Sequence, residues 1–171
     1  MLRAVDRAVA DRVDWIQVRE KHLDSRELAA LARRVLRSAK LGGTKVLINS
    51  RVDVALACGA DGVHLPADSI GVSAVRQIFP LLVGVSVHSL DEAKRAQTDG
   101  ANYVLFSPVF ESVSKPGYGP PAGLETLRWV CNQTAIPVLA LGGVTQENSL
   151  RCVEAGAVGV AGISLFQRSP I

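Results

Sequence analysis

Apolar positions recur along this chain with two spacings in turn. Leu2, Val5, Ala8 and Val9 fall on one helical face, and so do Leu28, Leu31, Ala32, Val35 and Leu36. Between and after these helices come short apolar runs that read as strands, several apolar throughout. Tyr103-Val-Leu-Phe106 is the clearest, the pattern of a strand buried on both faces. Taken in order, the periodicity predicts helices over 2–11, 28–39, 51–58, 73–79, 90–98, 124–132 and 147–154. It predicts strands over 13–21, 45–49, 62–65, 81–87, 103–106, 136–144 and 159–165. Asp24 or Ser25 caps the second helix, Ser89 the fifth and Thr145 the last.

Unbroken alternation of strand and helix implies an all-parallel sheet with right-handed crossovers. One corner is repeated. Gly59-Ala-Asp-Gly-Val, Gly100-Ala-Asn-Tyr-Val and Gly156-Ala-Val-Gly-Val each close a helix and open a strand. A glycine followed by a small residue turns the chain tightly back into the sheet. The recurrence favours a (β/α)8 TIM barrel over a doubly wound sheet. Seven strands are readable, so the expectation is a single domain over 1–171, a barrel lacking its first strand and last helix. Two open strand edges make self-association, and hence a homo-oligomer, an expected property.

Composition narrows the function. A net charge of +3, with Arg33, Arg34, Arg37 and Lys40 at helical spacing, reads as a solvated helix face rather than a nucleic-acid surface. Aromatic residues make up only 5%, too few for base-stacking platforms. No apolar run approaches the ~18 residues of a membrane span. Cys58, Cys131 and Cys152 are odd in number, sit in helical contexts and form no metal-type pair. With a charged N-terminal stretch, these features predict a cytoplasmic protein with free thiols.

Polar residues gather where the strands end, the end at which such a barrel builds its site. They are Gln17, Arg19 and Lys21; Asn49 and Ser50; His64; Ser86 and His88; Ser107; Gly142 and Gly143; and Ser164. Alternation along the first strand sends Gln17, Arg19 and Lys21 to one side, and two inward cations call for an anionic partner. Ser112, Ser114 and Lys115 follow the buried run at 103–106, offering two hydroxyls and an ammonium to a phosphate. Gly142-Gly143, with Ile163-Ser164 on the next strand, lets backbone amides approach the same group. His64 and His88 are the acid/base candidates. Asp53 fits a first helical turn and Asp61 a tight corner.

Gln17-Val-Arg-Glu-Lys21, Leu47-Ile-Asn-Ser-Arg-Val-Asp-Val-Ala-Leu56, Gly59-Ala-Asp-Gly-Val-His-Leu65, Val83-Gly-Val-Ser-Val-His-Ser89, Pro108-Val-Phe-Glu-Ser-Val-Ser-Lys115 and Ile136-Pro-Val-Leu-Ala-Leu-Gly-Gly143 stand in the order found in thiamine phosphate synthases. Across essentially its whole length the chain resembles that superfamily, which includes the TenI-type thiazole tautomerases. The resemblance implies thiamine biosynthesis and a phosphorylated small-molecule ligand. It implies a thiazole-phosphate site at Ser112, Ser114, Lys115, Gly142, Gly143, Ile163 and Ser164. It also implies pyrimidine-diphosphate contacts at Gln17, Arg19, Lys21, Asn49 and Ser86. Mg²⁺ is implied only for a synthase, and its two aspartates are replaced here by Ser50 and Ser69, with Asp68 one residue away. The tautomerase histidine is replaced by Pro108. His-Leu-Pro-Ala-Asp-Ser at 64–69 resembles the TenI branch. The expectation is therefore a TenI-like protein that binds a thiazole phosphate, with tautomerase chemistry resting on His88, His64 or Lys21. The alternatives are a thiamine phosphate synthase and a non-catalytic binding or regulatory protein.

Overall fold

The computed structural model describes residues 2–111, 120–163 and 165–166. They form an α/β fold whose paired strands are parallel. The chain divides into two compact units, residues 1–83 and 84–171.

The first unit opens with α1 (Leu2–Ala10) and β1 (Trp15–Val18). Next come α2 (Ser25–Gly42), β2 (Lys45–Asn49), α3 (Val52–Cys58), β3 (Gly62–Leu65) and α4 (Val72–Arg76). β1 pairs with β2 from Trp15↔Lys45 to Val18↔Ile48, and β2 with β3 from Leu47↔Gly62 to Asn49↔His64. Its core holds Ala32, Val35 and Ala39 of α2 with Val46, Ile48, Val63, Leu65 and Phe79. Asp24 caps α2 in a reciprocal box with Glu27. The α2 cations Arg33, Arg34, Arg37 and Lys40 are all exposed, as a solvated face requires.

β4 (Leu82–Val87) leads into the second unit. There follow α5 (Leu90–Thr98), β5 (Tyr103–Phe106), α6 (Gly123–Gln133), β6 (Val138–Ala140), α7 (Ser149–Glu154) and β7 (Gly159–Val160). β5 pairs with β4 and β6, and β6 with β7. All four β5 residues are buried, as their unbroken apolar run predicts. Val104, Phe106, Leu127, Val130, Ala140 and Cys152 are among the fully buried residues here. The three cysteines form no disulfide, and burial pushes the Cys131 and Cys152 thiols up. No helix among the described residues is long and apolar enough to cross a membrane.

The repeated corner closes as its sequence predicts. Gly59, Gly100 and Gly156 have φ of 65°, 91° and 104°. The alanine after each returns its amide to the helix: Ala60 to Ala55 O at 3.0 Å, Ala101 to Ala96 O at 2.9 Å, Ala157 to Cys152 O at 3.1 Å. Gly43 and Thr44 repeat the arrangement after α2.

Three predicted strands are shorter than periodicity suggests. The first ends at Val18, the sixth is confined to 138–140 and the last stops at Val160. Each ends where its parallel ladder ends. The last helix begins at Ser149 instead of Glu147, with Asn148 rather than Thr145 at the capping position.

Gly84 lies opposite Tyr103 in the β4–β5 pair, and a side chain there would overlap the buried Tyr103 ring. Gly84→Ala is expected to lower stability by about 1–3 kcal/mol through overpacking, measured by urea unfolding. Gly84→Ala/Tyr103→Leu should recover part of that loss. No change in the single variant would contradict the packing.

Candidate functional site

In the first unit the polar residues at the ends of β1 and β2 are joined in a chain. Gln17 Nε2 donates to Asn49 Oδ1 at 2.8 Å, and Asn49 Nδ2 donates to Ser50 Oγ at 2.7 Å. Ser50 adopts a left-handed φ of 62°, uncommon for a residue with a side chain. Its amide donates to the His64 carbonyl at 2.8 Å and so holds the end of β2 to β3. Next comes Arg51, which sequence reasoning missed. Its guanidinium grips Asp53 at 2.9 and 2.6 Å and donates to Ser25 Oγ at 2.6 Å. Those hydrogen bonds hold the Asp53 carboxyl below its ordinary value, against the opposing effect of desolvation. The Arg-x-Asp spacing at the start of a helix was the available signal. Asp61 takes its predicted corner role, accepting the Val46 amide at 2.8 Å.

Arg19 and Lys21 are not placed by strand alternation. β1 ends at Val18, so both stand beyond the ladder, and both are exposed. Gln17 is the one member of the predicted trio that belongs to the strand, and it too is exposed. Ser69 is half-buried, with its amide donating to the Pro66 carbonyl at 3.1 Å, and Asp68 is exposed. Among the described residues no three or more His, Cys, Asp or Glu side chains come together as a metal site.

In the second unit Ser86 is half-buried on β4. His88 follows, held at two points. Its amide donates to Glu92 Oε2 at 2.7 Å, and its Nδ1 lies 2.7 Å from the Ser107 carbonyl. A carbonyl only accepts, so Nδ1 carries the ring proton in the neutral form. Glu92 lies in the first turn of α5, where a negative charge is favoured, and its hold on the His88 amide is a second role. Ser89 caps that helix as predicted, accepting the Glu92 amide at 3.2 Å.

The segment after β5 is clasped between two others. Val109 N donates to Leu141 O and Phe110 N to Gly142 O, both at 2.9 Å. Ala122 N donates to Pro108 O at 2.9 Å and Gly123 N to Val109 O at 3.1 Å. Gly142 and Gly143 have φ of 94° and 62°. A Cβ on Gly142 would lie 2.7 Å from Pro108 Cα, and one on Gly143 would run into the Glu111 carbonyl. The paired glycines thus provide a close backbone approach, here to the segment that leads into the predicted phosphate loop. Arg151 stacks over Phe110 at 6.0 Å from the ring centre. Ser112, Ser114, Lys115 and Ser164 lie outside the described residues. Ile163 is not on a strand: β7 ends at Val160, and Ile163 is exposed on a bend.

His64 is buried on β3, and desolvation lowers its pKa from 6.5 to about 4. It is therefore a neutral imidazole at pH 7. Between pH 6.5 and about 4 the unfolded chain binds a proton at this residue that the folded chain does not. His64 thus favours folding above pH 6.5, and that contribution fades as pH falls, by about 3 kcal/mol in total. Urea unfolding across pH 7.5 to 4.5 should show this decline in the parent chain and a weaker one in His64→Gln. Equal slopes would contradict the assignment.

The thiamine monophosphate synthase family model matches residues 1–166. A thiamine-phosphate synthase of Roseiflexus castenholzii is 40% identical over 172 residues, covering 99% of this chain and 75% of that protein. One from Methanoculleus marisnigri is 42% identical over 159 residues, covering 92% and 75%. A solved structure, thiamine phosphate pyrophosphorylase from Pyrococcus furiosus, superposes with a TM-score of 0.88 at 32% identity, over 95% of this chain and 79% of that one. With these matches spanning nearly its full length, the chain belongs to the thiamine monophosphate synthase family.

Proposed function

We propose that this protein is a thiamine phosphate synthase, joining a pyrimidine diphosphate to a thiazole phosphate with release of pyrophosphate. The observation that carries this is the synthase name borne by relatives 40–42% identical over at least 92% of the chain. Those relatives favour the synthase over the TenI-like tautomerase, while the family model covers both branches. The proposal also takes the β/α repeats as parts of a (β/α)8 barrel.

In this reading Gln17, Arg19, Lys21, Asn49 and Ser86 bind the diphosphate. Ser112, Ser114, Lys115, Ile163, Ser164 and the Gly142-Gly143 turn bind the thiazole phosphate. The C–O bond breaks with its electron pair leaving on pyrophosphate, and the thiazole nitrogen lone pair forms the new C–N bond. That chemistry calls for charge stabilisation of the leaving group, a role Arg19 and Lys21 can serve. Their exposed position past the end of β1 suits contact with an anionic ligand.

Magnesium does not fit the residues that stand where the family's metal ligands would be. Ser50 and Ser69 are neutral, and Ser50 Oγ already accepts a hydrogen bond from Asn49. A hard dication prefers carboxylate and water oxygens, so no step is assigned to it here. The same mismatch supports a second reading, a ligand-binding protein or a tautomerase working through His88.

The test is incubation with both substrates, with and without magnesium, following thiamine phosphate and pyrophosphate together. The synthase reading predicts stoichiometric formation of both, reduced at least tenfold in Lys115→Ala, a charge-assisted contact being worth about 1.5–3 kcal/mol. Binding of the thiazole phosphate without product would leave the second reading in its place.

A further inference from the structure

We propose that Asn148 is a positioning residue for the phosphate ester, acting through the Gly142-Gly143 turn; the inference rests on the phosphate role given to that turn above. Asn148 occupies the capping position of α7, where an asparagine ordinarily accepts an amide of the first helical turn. Here it makes no such bond. Its side chain turns back on the preceding loop instead. Nδ2 donates to the Gly143 carbonyl at 3.0 Å, and Oδ1 accepts the Thr145 amide at 2.8 Å. Both ends of the carboxamide are thus committed to residues 143–145. A helix of only six residues forgoes a cap. The residue type is explained by the loop and not by the helix.

What this bridge fixes is the peptide plane after Gly143. The Gly143 carbonyl is held by Asn148 and the Thr145 amide is held on the other side of Val144, so the Val144 peptide between them has one orientation. Gly143 is also confined by close approach of Phe110 and Glu111, which leave no room for a Cβ. Backbone amides recognise an anion only when their directions are fixed beforehand. Asn148 acts through the turn, without touching the ligand, so its removal should raise the Kd and KM for the phosphate ester and leave kcat nearly unchanged.

Replacements separate this role from a merely structural one. Asn148→Ser supplies a good helix cap but cannot bridge Gly143 and Thr145. Asn148→Asp keeps the acceptor for Thr145, loses the donor to Gly143 and adds negative charge. Thermal unfolding and calorimetric titration with thiazole phosphate would be run on the parent chain and both variants. The expected result is a Tm for Asn148→Ser at or above the parent value, with Kd raised about tenfold, and a larger rise for Asn148→Asp. If Asn148→Ser binds as tightly as the parent, the positioning role is overturned while the phosphate reading stands. If Kd rises only in step with a fall in Tm, the role is structural and the proposal is equally overturned. A parent chain with no affinity for thiazole phosphate overturns both proposal and reading.

Discussion

Each helix-to-strand return in this fold that closes on glycine depends on one hydrogen bond. The residue after a left-handed glycine gives its amide to a carbonyl one turn back in the helix, at Gly43, Gly59, Gly100 and Gly156 alike. A parallel strand must begin close beneath the helix that precedes it, because the helix covers the sheet face. A corner this tight lets the next strand start in register, with a small buried residue such as Ala60, Ala101 or Ala157 in the angle. Arg12 takes the same position after α1, at φ 57°, with Val13 N donating to Ala8 O at 3.0 Å. Here a residue with a side chain accepts the strain that glycine avoids elsewhere.

Rigid strand ends are what make polar chemistry at their tips specific. In the first unit the Gln17–Asn49–Ser50 chain orients two side-chain amides and a hydroxyl without any charge among them. The nearby charges are either paired, as Arg51 is with Asp53, or exposed, as Arg19 and Lys21 are. In the second unit the glycine turn after β6 and the segment after β5 brace each other through main-chain bonds and close backbone packing. Under the proposed function, the neutral, oriented groups of the first unit and its exposed Arg19 and Lys21 suit phosphate oxygens rather than a hard metal ion.

Much of this was legible in the sequence because it is local. The corners, the Asp24 and Ser89 caps, the buried β5 and the polar strand ends follow from spacing and residue type within a few positions. What escaped depends on distant partners. Arg19 and Lys21 alternate like strand residues, yet the ladder with β2 ends at Val18, which no local pattern shows. Ile163 was carried onto β7 by the same apolar periodicity, but pairing with β6 stops at Val160. Gly142-Gly143 announced a close approach, while its partner, residues 108–111, lies some thirty residues away in sequence. Asn148 was hidden by Thr145, an eligible cap met earlier in the chain, whereas α7 begins only at Ser149.

The most direct measurement is a crystal structure with the thiazole phosphate bound. The account predicts phosphate oxygens within hydrogen-bond distance of the backbone amides around Gly142 and Gly143, with the Asn148 bridge to Gly143 and Thr145 in place. A phosphate bound elsewhere, with that turn making no contact to it, would contradict the account.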